Sequence, residues 1–381
     1  MGFGISLGLL YRNPIMLATI QISFIIDNFK FRVAAEAGTF EAESCLSSTL
    51  NNLNSLEVDI NAQVVRNYSA RVRGDSGTVE GFESVVSGIK SLRDSDLINT
   101  TTLALFPSGV KAGKTYSLLP ENPNGDFTVV RNTTATRVNR AGFIEEVAAN
   151  VPRLNYLTVG GNPFLLDEPQ ATNLILRSNE FNFGNWSKVS FNGSSTLIVN
   201  NVISPENILN ASTITPPQIT SPTERNNRFY QQVSTPTNLS FTFSIFVKSI
   251  VAGVNFKLIH IGFQTDNNIK EVAYVTTTDW VRYEITSNTA SSLGARANIS
   301  FENTIQIYGS QFESSLNSTS YIPTGGAAVT RNADIITRTP PAETLKITTT
   351  FSDNTTQVLT TIPATYTTPE GIIKSIIMSS T

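Results

Sequence analysis

The side chains best suited to nucleophilic and metal chemistry are scarce in this chain of 381 residues, which has one cysteine, Cys45, and one histidine, His260. These counts exclude an intrachain disulfide and a zinc site built from several cysteines and histidines. Cys45 lies beside Leu46 in a predicted helix and is interpreted as a small buried hydrophobe. His260 lies between aliphatic neighbours in a predicted strand, which favours a hydrogen-bonded structural role.

Three other patterns could bind a phosphate or catalyse hydrolysis. The run Gly109–Thr115 resembles a phosphate loop, but its glycines are one residue too close and no strand-to-helix context follows. Glu145-Glu146 and Asp167-Glu168 are adjacent carboxylates, which a strand directs to opposite faces, whereas a glycosidase needs two carboxyls converging across a cleft. We therefore predict no catalytic residue, no cofactor and no metal site, and expect that the protein is not an enzyme.

The charge balance excludes further classes of partner. Lys and Arg number 27 against 30 Asp and Glu, so the net charge is -3, and charged residues make up only 15% of the chain. This composition gives no basic surface for a phosphate backbone or an anionic membrane, so nucleic acid is not an expected partner. With 40% hydrophobic residues, the chain has enough apolar material for folded cores.

The apolar N-terminus predicts a strand rather than a signal peptide or a membrane helix. No Lys or Arg precedes Arg12, Asn13-Pro14 interrupts the apolar run, and the remainder is shorter than the ~18 residues of a membrane span. From Met16 to Ile26 apolar and polar residues alternate, which is typical of a strand. We therefore predict no membrane span and folding in a reducing cytoplasm.

A repeat of 39 residues occupies the first hundred positions. Arg32-Val33, followed by Gly38-Thr39, recurs as Arg71-Val72, followed by Gly77-Thr78. Apolar positions after each Gly-Thr keep helical spacing, and the threonine is a candidate N-cap. Each unit predicts strand, turn, strand and helix, so residues 1–100 are expected to be an α+β domain for anchoring or oligomerisation. Two unrelated segments with chance identities are the alternative.

Beyond residue 100 the patterns predict strands almost without interruption. Short β-runs broken by Pro, Gly and Asn make residues 101–164 a β-rich collar, with a hairpin turn at residues 140–142. Alternating strands with loops of Asn, Ser, Thr and Pro make residues 165–338 an antiparallel β-sandwich of jelly-roll type. After Pro340-Pro341, residues 339–381 predict a small C-terminal sheet with a turn at Asp353-Asn354. The fold class is therefore mainly β with an α+β N-terminal part.

Two ordered groups of motifs carry a resemblance to a known family. The first group is Asp126–Asn132, Ala135–Asn139, Gly142–Glu145 and Pro152–Tyr156. The second group begins with Glu168–Leu174, Ser178, Glu180-Phe181 and Trp186, and it ends with Gly309–Glu313, Thr319–Thr324 and Val329–Arg331. The chain resembles, over residues 126–334, the tail-fibre and head-fibre virion proteins of tailed bacteriophages that carry a jelly-roll domain like a carbohydrate-binding module. It departs from their pattern at Asp167, where an aliphatic residue is usual, and at Ser315, where glycine is common.

The resemblance implies a bacteriophage virion structural protein, assembled in the host bacterial cytoplasm and located in the virion on the head or the tail. Its implied partners are capsid, portal or tail proteins, further copies of itself and, through the jelly roll, a host-surface glycan. Receptor recognition is thus an alternative function, and a polysaccharide depolymerase is a third.

Candidate residues for stacking on a sugar ring are Trp186, Trp280 and Tyr230. Both tryptophans match positions of the motif blocks, so a packing role is favoured over ligand binding at these two sites. Nothing in the sequence makes Tyr274 or Tyr308 a better candidate for stacking on a sugar ring than Tyr230.

Overall fold

The computed structural model describes most of the chain beyond residue 100 and four short stretches before it. The described residues are 19–26, 29–36, 69–74, 78–79, 100–111, 113–119, 123–189, 197–216, 228–234, 239–262, 269–288 and 295–381. They form strands, loops and one short 3-10 helix, Pro123–Gly125. Among them, no helix is long and apolar enough to cross a membrane. The two predicted N-terminal helices, and Cys45 with them, lie outside the described residues.

The strands are numbered in chain order. The N-terminal strands are β1 (Thr19–Ile26), β2 (Phe29–Glu36), β3 (Ser69–Gly74) and β4 (Thr78–Val79). They are followed by β5 (Thr101–Leu105), β6 (Gly109–Lys111), β7 (Lys114–Thr115), β8 (Phe127–Val130), β9 (Ala135–Val138), β10 (Ile144–Val147), β11 (Arg153–Tyr156), β12 (Pro163–Asp167) and β13 (Ala171–Asn173). The next group is β14 (Ser187–Val189), β15 (Leu197–Ile203), β16 (Leu209–Thr215), β17 (Arg228–Val233), β18 (Ser240–Lys248), β19 (Asn255–Gly262), β20 (Ile269–Val275), β21 (Val281–Asn288), β22 (Ala295–Phe301) and β23 (Ile305–Glu313). The last strands are β24 (Val329–Arg331), β25 (Ile335–Arg338), β26 (Lys346–Phe351), β27 (Thr356–Leu359), β28 (Tyr366–Thr367) and β29 (Gly371–Ser379).

The N-terminal repeat is visible in its strands. The strand predicted from Met16 to Ile26 is observed as β1, which pairs antiparallel with β2. Strand β3 pairs parallel with β2 so that Arg32 faces Arg71 and Val33 faces Val72. Residues that recur 39 positions apart in the sequence are therefore neighbours in the sheet.

The jelly roll consists of two five-stranded antiparallel sheets packed face to face. Sheet 1 has the order β14–β17–β22–β19–β20, and sheet 2 has the order β15–β16–β23–β18–β21. As the alternation predicts, Phe241, Phe243, Ile245 and Val247 of β18 all point into the core between the sheets. The predicted antiparallel sandwich is confirmed.

A second two-layer β body, called the support, is built from the chain on both sides of the jelly roll. Its first sheet has the order β11–β12–β29–β26–β27, with β5 also paired to β29, and its second has the order β28–β25–β8–β7–β6–β4. Its core includes Leu105, Phe127, Leu165, Ile347 and Ile376.

The support joins the predicted collar, residues 101–164, to the predicted C-terminal sheet, residues 339–381. Strand β29 pairs with β26 along one edge, and with β12 and β5 along the other. The C-terminal strands therefore form as predicted, but in a larger sheet with strands that precede the jelly roll. The jelly roll is an insertion within the support, because the chain leaves the support after β12 and returns to it at β25.

The two ends of the inserted segment are held side by side. Strand β13, at the start, pairs antiparallel with β24, at the end. The buried side chain of Asn173 donates from Nδ2 to the carbonyl oxygens of Ser310 and Ile322, and its Oδ1 accepts from the backbone N–H groups of Ile175 and Phe312. One amide thus uses its full hydrogen-bonding capacity to close the jelly roll.

Five charged side chains form a buried cluster where the jelly roll meets the support. The arginine cluster comprises Arg131, Arg153, Arg331, Glu168 and Asp334. Arg131 Nη1 lies 2.7 Å from Asp334 Oδ1, and Arg153 contacts Asp334 and approaches Glu168 Oε2 to 2.8 Å. Arg331 lies 3.4 Å from Glu168 and 3.8 Å from Asp334. Four of the five side chains are at most 1% exposed and Glu168 is 12% exposed, so these charges depend on one another for solvation.

Backbone and hydroxyl groups complete the cluster. Arg131 donates to the carbonyl oxygens of Ala148 and Val151. The backbone N–H and the hydroxyl of Ser320 both donate to Glu168, each over 2.7 Å. Burial by itself would raise the pKa of Glu168, but the Arg153 and Arg331 charges hold it below its usual value. Glu168 therefore stays ionised inside the protein.

Asp167, next to Glu168 in sequence, has the opposite electrostatic environment. Its carboxylate is buried in the support and accepts a hydrogen bond from the hydroxyl of Thr368. Burial, together with the neighbouring charges of Asp334 and Glu370, raises the pKa of Asp167 to about 7. This buried acid therefore sits in a site that favours its neutral form.

The arginine cluster predicts a large effect for Asp334→Ala. The substitution leaves Arg131 and Arg153 buried without their shared carboxylate, so we expect the free energy of unfolding to fall by about 3–5 kcal/mol. The matched control is Glu271→Ala, which breaks an exposed pair with Lys257 and should cost less than about 1 kcal/mol. Urea denaturation measures both changes, and similar losses for the two variants would contradict the assignment.

The Asp167 environment predicts a pH dependence of stability. With a folded pKa of about 7 and an ordinary value of 3.8, the native state holds the proton that the unfolded state has lost, so stability falls as pH rises from about 4 to 7. Asp167→Asn should remove this fall and gain on the order of 2–4 kcal/mol at pH 8, with little difference at pH 4. Thermal unfolding at several pH values measures it. Asp279→Asn, at an exposed turn, is the control, and parallel pH profiles for wild type and Asp167→Asn would contradict the prediction.

Candidate functional site

Trp186 is a core residue of the jelly roll. Its ring stacks on Phe229 with 4.8 Å between centroids and lies 5.1 Å from Phe181. The indole Nε1 donates to the carbonyl oxygen of Arg177 over 3.1 Å. With 3% of the residue exposed, the ring packs the interior and offers no face to a sugar.

Trp280 lies where sheet 2 approaches strands β9 and β10. Its Nε1 donates to the carbonyl oxygen of Ile203 over 3.0 Å, and Lys248 Nζ lies 4.8 Å above the ring. The ring also meets Tyr308 edge-on, at 6.4 Å between centroids. The indole hydrogen bond and the edge contact with Tyr308 give Trp280 a packing role, and the fully buried Tyr308 belongs to the same cluster.

The side of sheet 2 that faces away from the core is covered by other parts of the protein. Thr136 of β9 donates from its hydroxyl to the Tyr321 carbonyl oxygen, and the backbone N–H of Ile144 in β10 donates to the Pro205 carbonyl oxygen. The segment that follows β23 also lies on this side, where Arg282 donates to the Thr319 carbonyl oxygen over 2.5 Å. Sheet 2 is therefore the attachment side of the jelly roll.

Sheet 1 presents a different outer side, and Tyr230 lies there. In β17, Phe229 and Val233 point into the core, so Tyr230 points away from it. The guanidinium of Arg296, in the adjacent β22, lies 4.8 Å from the centre of the Tyr230 ring. Tyr230 is half-buried and belongs to no core cluster of the described residues. Of the three sequence candidates, it is the one that the structure leaves on an outer sheet surface.

Polar side chains surround Tyr230 on this surface, which is called the tyrosine face. It comprises Arg228, Tyr230, Gln232, Lys257, Glu271, Arg296, Asn298 and Ser300, which all lie on the side of sheet 1 away from the core. Asn298 faces Tyr230 across one strand pair and Ile259 across the next. Asn298 and Ile259 are almost fully buried and lie at the base of the tyrosine face, with longer side chains around them.

Hydrogen bonds and one ion pair order this surface. Asn298 Nδ2 donates to the carbonyl oxygens of Ile259 and Arg296, which fixes the side chain across the two central strands. Lys257 and Glu271 form an exposed ion pair of 2.8 Å at one side of the face. The tyrosine face thus combines one aromatic ring with guanidinium, amide and hydroxyl groups on one side of sheet 1.

Other residues singled out in the sequence lie elsewhere. Residues 109–111 and 114–115 form strands β6 and β7, which pair with each other, so the glycine-rich run is part of a hairpin in the support. Glu145 accepts from Arg137 and Asn139, while Glu146 is exposed. Asp167 and Glu168 turn to different partners, Thr368 and the arginine cluster. His260 lies in β19, within sheet 1, and Tyr274 packs against Phe256 and Tyr283.

The sequence analysis did not identify Arg228, Arg296 and Asn298 as neighbours of Tyr230. The signal was present in the alternation of β17 (RFYQQV) and β22 (ARANISF), where every second residue is polar or aromatic. Their meeting across the strand pair depends on the register, which aligns Tyr230 with Asn298, and local periodicity does not specify that register.

A metal site is not among the features of the described residues, in which no group of three or more His, Cys, Asp or Glu side chains could hold an ion.

Comparison with known proteins gives structural neighbours and no family. No protein-family model matches the chain, and no curated protein matches it. The chain is similar to the CBM22-1 xylan-binding domain of Paenibacillus barcinonensis Xyn10C, at 11% identity and a TM-score of 0.29, over 39% of this chain and 94% of that domain. It is also similar to TmCBM61 in complex with β-1,4-galactotriose, at 15% identity and a TM-score of 0.27, over 37% of this chain and 97% of that one.

A third similar structure is the enzymatically active domain of bacteriophage CBA120 tailspike protein 4, at 12% identity and a TM-score of 0.28. The match covers 37% of this chain and 21% of that one, so the chain spans about a fifth of the length of that tailspike domain. These neighbours include carbohydrate-binding modules and a phage tailspike domain.

Proposed function

We propose that this protein is a non-enzymatic glycan-binding protein in which the support holds the jelly roll and the tyrosine face binds the sugar. The observation that carries the proposal is the contrast between the two sheets. The outer side of sheet 2 is covered by strands β9 and β10 and by the segment after β23, whereas the outer side of sheet 1 carries Tyr230 among polar side chains.

The chemistry of the tyrosine face suits a sugar ring. A pyranose has an apolar face of C–H groups, which stacks on an aromatic ring, and a rim of hydroxyls, which need donors and acceptors. Tyr230 supplies the ring, and Gln232 and Ser300 lie on the same side of the sheet with an amide and a hydroxyl group. Because Asn298 and the strands beneath are held rigidly, binding costs little ordering of the protein.

The role as a binder rather than a depolymerase is supported by the bonds that engage the buried acids. Asp334 and Glu168 neutralise arginines in the arginine cluster, and Asp167 is bonded to Thr368. Glu313 accepts from Gln311 and from the backbone and side chain of Thr319, and burial raises its pKa. Carboxyls that serve as bonded structural groups are poorly placed to donate a proton or attack a glycosidic carbon.

We further propose that the protein is a head- or tail-associated component of a bacteriophage virion, assembled in the host cytoplasm together with other virion proteins and further copies of itself. The supporting observation is the rigid insertion. The jelly roll is joined to the support by two chain segments, one after β12 and one before β25. The paired strands β13 and β24 and the arginine cluster hold these segments in one orientation, which suits an appendage that must present a binding face outward.

The proposal predicts that Tyr230→Ala weakens glycan binding by about tenfold or more, since stacking on the ring is lost. The measurement is a glycan array with the full chain, followed by titration of the best ligand. The matched control is Phe183→Ala, because Phe183 is an exposed aromatic with Arg177 4.1 Å above its ring, but it lies in a loop outside the tyrosine face. An array without any bound glycan, or equal losses for the two variants, would contradict the proposal.

The virion setting predicts that the protein is found in purified phage particles at a fixed stoichiometry. Quantitative mass spectrometry of gradient-purified particles measures it, and labelling with an antibody against the jelly roll shows whether the head or the tail is marked. Absence of the protein from intact particles that are otherwise complete would refute this setting, while leaving glycan binding untouched.

A further inference from the structure

We propose that Thr319 and Gln311 become joined by an intramolecular ester bond, which the chain forms by itself with Glu313 as the proton-transferring group. The cluster lies on the covered side of sheet 2, so the proposal is independent of glycan binding at the tyrosine face. It is carried by the placement of a hydroxyl, a carboxylate and an amide in one set of short hydrogen bonds.

One carboxylate contacts both side chains of the proposed bond. Oε2 of Glu313 accepts from the hydroxyl of Thr319, and Oε1 accepts from Nε2 of Gln311, each over 2.7 Å. The hydroxyl oxygen of Thr319 lies 3.4 Å from the same Nε2. Gln311 and Glu313 are two residues apart in β23 and point to the same side of the sheet. The segment after β23 turns back over them, and the backbone N–H of Thr319 also donates to Glu313 over 2.7 Å.

The amide of Gln311 is held in the environment that an acyl group needs for attack by a hydroxyl. Its Oε1 accepts from the backbone N–H of Ile322 over 2.7 Å. A donor at this position stabilises the negative charge that develops on the oxygen when a nucleophile adds to the amide carbon. Gln311 and Glu313 are both fully buried, so the amide carbon is shielded from bulk water, and Thr319 is the hydroxyl that contacts the carboxylate.

Glu313 has the properties of a base for this hydroxyl. Burial raises the pKa of its carboxyl above the ordinary value, against the opposing effect of the hydrogen bonds from Gln311 and Thr319. A carboxylate with a raised pKa accepts a proton more readily, and a threonine hydroxyl is a weak nucleophile until a neighbouring base takes its proton. Because Glu313 is enclosed by these partners, its chemistry is confined to them.

The atoms of the reaction balance within the chain. Oγ1 of Thr319 gives its proton to Glu313 and bonds to Cδ of Gln311, the atom one covalent bond beyond Nε2; attack begins when Oγ1 and Cδ are ~3–3.5 Å apart. The Cδ–Nε2 bond then breaks, and Glu313 passes the proton to the departing nitrogen, which leaves as ammonia. The product is an ester that closes the chain between residues 311 and 319. It fixes the segment after β23 covalently on the outer side of sheet 2.

The test is mass spectrometry of the purified full chain after digestion with trypsin. Gln311 and Thr319 lie in one tryptic peptide, Ala297–Arg331. We expect this peptide to be lighter than its sequence by about 17 Da, the mass of the ammonia that leaves. Its spectrum should lack backbone fragments between residues 311 and 319, and hydroxylamine, which cleaves esters, should restore them. A wild-type peptide of unmodified mass would overturn the proposal.

Three variants assign the roles within the cluster. Thr319→Val removes the nucleophile and Glu313→Gln removes the base, so the peptides of both should have the full mass of their own sequences. The matched control is Thr242→Val, because the Thr242 hydroxyl also holds the segment after β23 but donates to the Ser315 carbonyl oxygen over 2.9 Å. The control should keep the loss of ammonia. A loss that persists in Thr319→Val would refute the ester, and the wild-type peptide decides the question even where a variant fails to fold.

Discussion

The buried charges between the jelly roll and the support constrain the rest of the structure. Three guanidinium groups, of Arg131, Arg153 and Arg331, cannot be desolvated unless Glu168 and Asp334 meet them at the same point. These residues come from the segments before, at the start of and after the jelly roll. The pairing of these five charges holds the three segments together, so the cluster ties the inserted domain to its support.

That arrangement determines which surfaces can reach a ligand. The segment that ends the jelly roll, from Ser315 to Tyr321, folds over sheet 2 and supplies Ser320 to Glu168. The same contacts that complete the arginine cluster therefore cover the outer side of sheet 2, while the tyrosine face lies on the other sheet. One set of buried contacts therefore both attaches the jelly roll to the support and covers the outer side of sheet 2.

Much of the local structure was predictable because strand alternation and turn chemistry act over a few residues. The inward positions of Phe241 and Val247 are those that the period of two predicts. The turn at Asp353-Asn354 was also predictable, since Asn354 has a φ of 68° and Asp353 accepts from the backbone of Thr355. Tyr230 was named among the aromatic candidates, but nothing local distinguished it from Trp186.

By itself, the sequence determined the strand-rich fold class, the inward faces of the strands and the absence of a second histidine or cysteine for chemistry. The tertiary structure alone decided that residues 101–164 and 339–381 form one body, and that Arg296 lies over Tyr230. The physical reason is the sequence distance over which each kind of interaction acts. Alternation and turns depend on neighbours in the chain, whereas strand pairing across some 200 residues depends on which long-range contacts together bury apolar surface and neutralise buried charge.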